Sequence, residues 1–440
     1  MNKYLYILGL AGVAFFSACS NSDDLLIEDS SAVDKAKESV LIYEAGQNSE
    51  VPITLGAGQS RGYTRAVLNP TDASGSFNTE GGKSLGVFCL ATGYQFPYSD
   101  PEIENHPIEN NWATDDTGLI VRMKNAAATV ADGNVTFNDH DYYYPVGKWM
   151  EYNFFAYYPW QEETVTIGEE QEKTINITEN QVLERYYHID GSQDIIWGMT
   201  DPSNAKYSDA PNYARPFSAG YYLWKKDSIA RKNPSDNIAN YAPQFSFEHK
   251  MVQFRFFVKA DDHTVESKNI KVRDMNITNG INHLALIVAN KSNSNFNGKL
   301  YWFGETITTE RMSIKKNGSD AKRFDQNGDG KLDNALGDIT DDPITDFSNP
   351  VGYIMLAPPN VPKYNDRNKP NPESNNTVYR LVMKVRYDGG ASDVNVVKLL
   401  DPPVIPGTGT DPETNPERKG FVAGMTYNIV ISINSSDLGI

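Results

Sequence analysis

Cysteine is almost missing from this chain: its 440 residues hold two, Cys19 and Cys89. No Cys-x-x-Cys pair, H-E-x-x-H zinc motif or Walker A loop occurs, so the usual redox, metallohydrolase and nucleotide-binding signatures are excluded. The six histidines are scattered. His249 stands beside Glu248 in a strand-like run and reads as a hydrogen-bonded structural histidine. No spacing singles out a carboxylate pair for glycosidase chemistry. Together these absences predict a protein that is not an enzyme. Basic excess is missing as well. A formal net charge of −17 and a pI near 4.8 exclude nucleic acid as a partner recognised through a positive face. Long amphipathic helical patterns and solenoid-type repeats are also lacking. The apolar run near the start falls short of the roughly 20 residues a membrane helix needs.

That run is nonetheless informative. Lys3 leads into Tyr4–Phe16, and small Ser17-Ala18 precede Cys19. A cationic tip, a short apolar core and a small-residue exit make up a secretory signal peptide over residues 1–18. Ser17-Ala18-Cys19 resembles the lipobox of bacterial lipoproteins. The resemblance implies cleavage before Cys19 and acyl chains on its thiol and new amine, with outer-membrane lipid as the partner. Residues 19–50 read as a lipid-anchored linker. Within it, Ser20-Asn21-Ser22-Asp23-Asp24 resembles the export signal that carries lipoproteins to the outer face of the outer membrane. With Cys19 acylated, Cys89 is left alone and no intramolecular disulfide is expected. Cys89 lies in the apolar stretch Ser84–Thr92 and reads as a buried small hydrophobe.

The remainder is strand-like. Aromatic enrichment, with 25 Tyr and 19 Phe, favours an all-β fold. Val51, Ile53 and Leu55 alternate with Pro52 and Thr54, the period of a half-buried strand. Gly56–Ala66 follows, a Gly/Ser-rich segment carrying Arg61 and Arg65, read as an exposed loop of the kind proteases cut. Glu151–Pro159 is an aromatic strand ended by proline. Pro202–Pro243 reads as a long connection and divides the chain into residues 51–240 and 245–440. The second part opens on Phe245–Val258. It carries an insert over 315–350 and keeps one face apolar at Tyr379, Leu381, Met383, Val385 and Tyr387. Near the C-terminus Tyr427, Ile429, Ile431 and Ile433 alternate in one last strand.

Taken in order, these features resemble the fimbrillin family, the lipoprotein subunits of type V pili. The residues that carry the resemblance are the lipobox, the first strand with its arginine-bearing segment, Tyr152-Asn153-Phe154-Phe155-Ala156-Tyr157-Tyr158-Pro159, Asp194–Gly198, Phe247–Val252 and Phe421–Tyr427. The resemblance implies two tandem transthyretin-like β-sandwich domains. It implies other pilin subunits as partners, in a homo- or heteropolymer, and a host or bacterial surface ligand. An arginine-specific protease cutting after Arg61 or Arg65 would remove the first strand, with residues 51–61 as the removable piece. A neighbour's strand, from the region Tyr427–Ile433, would then fill the vacated groove. The same residues leave open a surface glycan-binding lipoprotein with β-sandwich modules, using exposed members of the pairs Tyr157-Tyr158, Tyr186-Tyr187 and Tyr221-Tyr222.

Two local motifs stand apart. Asp325, Asn327, Asp329, Lys331 and Asp333 fit the spacing of a calcium loop, with Gly330 at the sharp turn. The twelfth position, normally a bidentate acid, is Leu336. The stretch therefore fits either a structural Ca2+ site or a plain acidic turn. Asp227-Ser228-Ile229 resembles a bacterial O-glycosylation acceptor.

Overall fold

The computed structural model describes residues 51–61, 79, 83–94, 111–113, 121–144, 150–167, 170–208, 216–260, 271–302, 312–314, 350, 352–359, 361–363, 378–386, 393–405 and 418–438. In chain order the first strands are β1 (Leu55–Arg61), β2 (Leu85–Tyr94), β3 (Val121–Ala131), β4 (Asn134–Phe137) and β5 (Met150–Tyr158). Next come β6 (Thr164–Ile167), β7 (Glu170–Lys173), β8 (Ile175–Ile177), β9 (Val182–His188) and β10 (Ile196–Thr200). Helix α1 (Ala219–Lys232) leads to β11 (Gln244–His249), β12 (Val252–Ala260), β13 (Lys271–Ile277), β14 (His283–Asn290), β15 (Leu300–Trp302) and β16 (Met312–Ser313). The remainder is β17 (Gly352–Leu356), β18 (Tyr379–Arg386), β19 (Val394–Leu400), β20 (Val404–Ile405), β21 (Arg418–Lys419), β22 (Thr426–Ile433) and the short helix α2 (Ser435–Leu438).

The fold is all-β. One sheet closes on itself in the order β1-β11-β10-β5-β2-β3-β4, with β4 returning to β1. Three further sheets of three or four strands run β15-β14-β9-β8, β17-β12-β22 and β16-β13-β18-β19, and β6-β7 and β20-β21 form two-stranded ladders. The alternation read in β18 is met over its described length: Tyr379, Leu381, Met383 and Val385 are buried while Arg380 and Arg386 face water, and Tyr387 lies outside the described residues. In contrast, β5 is buried on both faces from Phe154 to Tyr158. It pairs with β2 on one side and β10 on the other, and side chains cover it above and below.

Sheet membership crosses the expected division at 240–245 twice. β11 pairs with β10 and β1 and so belongs to the closed sheet. β14 pairs with β9 over seven registered positions, binding residues from before the division to residues after it. Contacts between side chains follow the same route. Trp197 of β10 donates its indole N–H to Val288 O of β14 at 2.9 Å. Gly298 lies against the same indole, with a φ of +70°. A Cβ there would come within 2.6 Å of the ring, so only glycine fits on both counts.

The connection Pro202–Pro243 is more ordered than its composition implies. It contains α1, a 14-residue helix capped by Ser218, whose hydroxyl accepts from Tyr221 N. Its inner face buries Ala219, Tyr221, Lys225 and Ser228. Lys225 places its ammonium 3.9 Å from the Tyr241 ring centroid, an arrangement in which the aromatic face partly replaces water. The segment Gly56–Ala66 also differs from expectation, because its first part is strand. β11 pairs with Gly56, Ala57, Ser60 and Arg61, and the β3–β4 hairpin holds Gly56 and Ala57 from the other side, despite the glycines.

Candidate functional site

The first described strand closes the barrel, and its surroundings form the candidate site. Val51, Ile53 and Leu55 are buried at 1%, 5% and 4% exposure, as their alternation predicts, while Thr54 between them is exposed. Ala57 continues the buried row. On one side the backbone bonds to the β3–β4 turn and to the segment after β4. Ile53 N donates to Tyr142 O at 2.8 Å, Tyr144 N to Val51 O at 2.9 Å, and Ala57 N to Gly133 O at 2.9 Å. On the other side β1 runs parallel to β11, with Gly56 opposite Gln244, Ala57 opposite Phe245, Ser60 opposite Phe247 and Arg61 opposite Glu248. A register break falls between Ala57 and Ser60.

Both walls of this slot are held independently of the strand inside it. β11 keeps five registered pairs with β10, and β4 keeps four with β3. A buried bond adds to the first wall: His249 Nδ1 lies 2.7 Å from Asp194 Oδ2, with both side chains almost fully enclosed. Burial pushes the Asp194 carboxyl up from its ordinary range, and His249 pulls it part of the way back. The structural role read for His249 from its sequence context fits this geometry. Next to it, Lys250 pairs with Glu248 at 2.7 Å and lies 4.9 Å from the Trp197 ring centroid. Burial lowers its ammonium, and the Glu248 partner opposes that shift. Above the start of the slot, Pro52, Thr54, Tyr144, Phe217, Tyr221 and Tyr241 line a small aromatic cleft with Pro243 and the start of α1.

The C-terminal strand is also paired in parallel, in a different sheet. β22 runs parallel to β12 through eight registered pairs, from Gln253–Thr426 to Ala260–Ile433. It stands at the edge of its sheet. Ile431 and Ile433 are buried, Tyr427 and Ile429 half-buried, and Val430 is 41% exposed on the opposite face. Tyr427 stacks on Phe254 and meets Phe421 edge-on. α2 follows directly and is tied down by Lys398 to Asp437 at 2.7 Å and by buried Leu438. In the folded chain, therefore, the strand read as a donor is seated on its own β12.

Other predicted residues fall as follows. Arg61 is the last residue of β1. Cys19, Arg65 and the calcium-loop set Asp325, Asn327, Asp329, Lys331 and Asp333 lie outside the described residues. Cys89 is fully buried in β2, and burial raises its thiol well above the ordinary value, which suppresses the nucleophilic thiolate. Tyr157 and Tyr158 are both core residues, Tyr187 and Tyr221 are buried, and Tyr186 and Tyr222 are half-buried. Ser228, read as a glycosylation acceptor, is buried on the inner face of α1, so the folded chain does not present it. The sequence also contains Gly58-Gln59-Ser60-Arg61-Gly62, a G-x-S-x-G match. Its first four residues lie within β1, whereas a nucleophile elbow needs a sharp strand-to-helix turn. What the residues alone did not reveal is the partner of β1. The parallel contact with β11 joins positions nearly 190 residues apart (Ala57 and Phe245), and no local pattern encodes it.

No protein-family model and no curated protein matches the chain. Solved structures do match. A "putative cell adhesion protein" from Bacteroides uniformis shares 14% identity at a TM-score of 0.40, covering 88% of this chain and 95% of that one. A fimbrial protein from Bacteroides vulgatus shares 10% at a TM-score of 0.38, covering 87% and 95%. The chain is similar to Bacteroides fimbrial and adhesion proteins. A fimbrial protein from Bacteroides ovatus, 10% identical with a TM-score of 0.27, is covered over 51% of its length by 88% of this chain. Overlap this loose transfers neither partner nor mechanism, and the functional reading has to come from the strands themselves.

Proposed function

We propose that this protein is a structural subunit or adhesin of a cell-surface pilus, assembled by exchange of its first strand. Its two tandem β-sandwich domains, residues 51–240 and 245–440, share the β9–β14 ladder across their division. It is first held in the outer membrane by acyl chains on Cys19. Cleavage after Arg61 or Arg65 frees the body from its anchor, and the strand that includes Val51, Ile53 and Leu55 leaves the barrel. The observation that carries the reading is that β1 closes a slot whose two walls keep their own partners. Its loss leaves an intact groove with an apolar floor and unpaired backbone groups on two edges, which is a template for a strand from another chain. Each buried Val, Leu or Ile contributes roughly 1.5–3 kcal/mol, so the empty groove strongly favours refilling. The incoming strand is a neighbour's Tyr427–Ile433, whose apolar residues recur at the same spacing of two. Leaving β12 is the step that makes β22 available.

Incubation of the full chain with an arginine-specific protease tests the reading. The expected products start at Gly62 or Ala66 and form a ladder of oligomers that survives mild detergent. Ile431→Asp combined with Ile433→Asp should still be cut but stay monomeric. A wild-type chain that is cut and remains monomeric would overturn the exchange mechanism. Asp325–Asp333 is kept as a structural calcium site. Its test is a melting temperature that falls on chelation in the wild type and not in Asp325→Ala.

A further inference from the structure

The outward face of β22 carries an anomaly. Val430 is 41% exposed, although the residues beside it on that face, Asn428 and Ser432, are polar. The inward row of the strand is Tyr427, Ile429, Ile431 and Ile433. The first strand has a matching order. Val51, Ile53 and Leu55 are buried in the slot, and Pro52 and Thr54 lie on the opposite face. The stretch Val51-Pro52-Ile53-Thr54-Leu55 reads position for position against Ile429-Val430-Ile431-Ser432-Ile433. Aliphatic matches aliphatic along the inward row. On the other face Val430 matches Pro52, and Ser432 matches Thr54. The position of Pro52 is not bare surface. Pro52 lines the aromatic cleft with Tyr144, Phe217, Tyr221 and Tyr241, and it is bridged to Tyr143 of the neighbouring segment. An apolar side chain therefore has a seat there.

Resting on the exchange proposed above, we infer its register. A neighbour's Ile429, Ile431 and Ile433 take the places of Val51, Ile53 and Leu55, in the same direction, and Val430 takes the place of Pro52 in the aromatic cleft. Val430 and the cleft are then what a correctly seated partner is recognised by. A slip of one residue would turn the whole aliphatic row out of the slot. A slip of two is opposed by size. Moving the donor until Tyr427 replaces Val51 also sets Ile433 in the place of Ala57 and Asn428 in the cleft. A ring in place of valine, and a branched aliphatic group in place of a methyl, overfill a slot between fixed walls. The same slip puts Asn434 at Gly58, where a Cβ would lie 2.5 Å from Phe245 O, a backbone atom that cannot turn aside. The opposite slip puts Ser435 in the place of Leu55 and leaves a void. In the inferred register Gly58 is matched by Ser436, beyond the end of β22 at Ile433, where the donor has already left its strand path. Asn434 then falls at Gly56 and meets the end of the Gln244 side chain, which is exposed and able to swing away.

Backbone geometry supplies the test. Pro52 and Tyr143 face each other across an antiparallel bridge, flanked by the bonds from Ile53 N to Tyr142 O and from Tyr144 N to Val51 O. This is a non-hydrogen-bonded pair, in which Cα atoms approach to about 4.5 Å and side chains lie closest. That spacing suits a disulfide, and in the exchanged state Val430 stands in it. Full chains carrying Tyr143→Cys with one of Asn428→Cys, Val430→Cys or Ser432→Cys are cut with an arginine-specific protease and oxidised with diamide. Cutting removes Cys19, and Cys89 is fully buried, so neither competes. A ladder of disulfide-linked oligomers on a non-reducing denaturing gel is expected with Val430→Cys alone. Val430→Asp in the otherwise wild-type chain should melt as the wild type does and, once cut, assemble about tenfold less readily, as the loss of one buried valine implies. Cut wild type that stays monomeric defeats the exchange and the register together. Oligomers linked through Asn428→Cys or Ser432→Cys, or through none of the three, overturn the register and leave the exchange standing. If melting of the uncut chain shows that Tyr143→Cys does not fold, the Val430→Asp comparison decides, and assembly equal to wild type overturns the register.

Discussion

At the residue scale, the sharpest energetics lie beneath the slot. Asp194 and His249 are enclosed together, and removing one member leaves the other buried without its hydrogen-bond partner. His249→Ala should cost about 1–3 kcal/mol, read as a lower urea midpoint at neutral pH with an unchanged slope. Lys250 gives a pH dependence. Its ammonium is lowered from the ordinary 10.5 by burial. Between that lowered value and 10.5 the unfolded chain still holds a proton that the folded chain has released, so stability rises with pH across that interval. Lys250→Met keeps the contact with Trp197 and removes the titration. Wild type should therefore gain stability relative to this variant between pH 7 and pH 10, measured by urea unfolding at each pH. Some of this was legible in the sequence. A lone cysteine in an apolar strand and a histidine beside an acid were both read as structural, and both are buried. The acid bonded to His249 proved to be Asp194, 55 positions away, and not the adjacent Glu248. Sequence proximity names a neighbour, while a strand alternates faces and sends neighbours apart.

At the element scale, the strands with clean alternation were legible and the irregular ones were not. β18 and the Val51–Leu55 stretch show period two because one face is buried and the other wet. Leu55→Ala should cost about 2–5 kcal/mol, measured by chemical denaturation, because the row Val51, Ile53, Leu55 and Ala57 has no room to collapse between two fixed walls. Helix α1 escaped notice for a physical reason. Its face is built from glycine, tyrosine, lysine and serine, so burial there does not register as an apolar stripe. Its cap carries a measurable share of its stability. Ser218→Ala should cost about 1 kcal/mol, and a melting experiment should show it. β9 was missed because Glu184 and Arg185, both fully buried, interrupt its apolar pattern. Arg185 is accommodated between aromatic rings, 4.4 Å from the Tyr187 centroid, and donates to Thr174 O at 3.0 Å. A charged residue sheltered this way reads in sequence as a surface residue.

At the scale of the whole molecule, the sheets and the sequence halves do not coincide. β9 and β14 pair across the division, and Trp197 is wedged against Gly298 and Val288 from the far side. The full chain should unfold in a single calorimetric transition. A fragment ending at residue 249 should expose the β9 edge and self-associate in size-exclusion chromatography. Two well-separated transitions in the full chain would show instead that the halves fold independently. The boundary was drawn from composition, at a Pro- and Asn-rich stretch. That criterion finds where the chain is unpaired locally, but it carries no information about which distant strand completes a sheet.

The two parallel ladders also give the molecule a mechanical polarity. When tension acts along the axis of two strands that run the same way, every cross-strand bond is strained at once. A hairpin pulled apart at its open end instead yields one bond at a time. β22 lies against β12 through eight registered pairs without a break. β1 meets β11 in four, interrupted between Ala57 and Ser60. Under stretch, the interrupted β1–β11 ladder is therefore weaker than the unbroken β12–β22 ladder, and β1 depends on its second edge, against β4 and Tyr142–Tyr144, to stay seated.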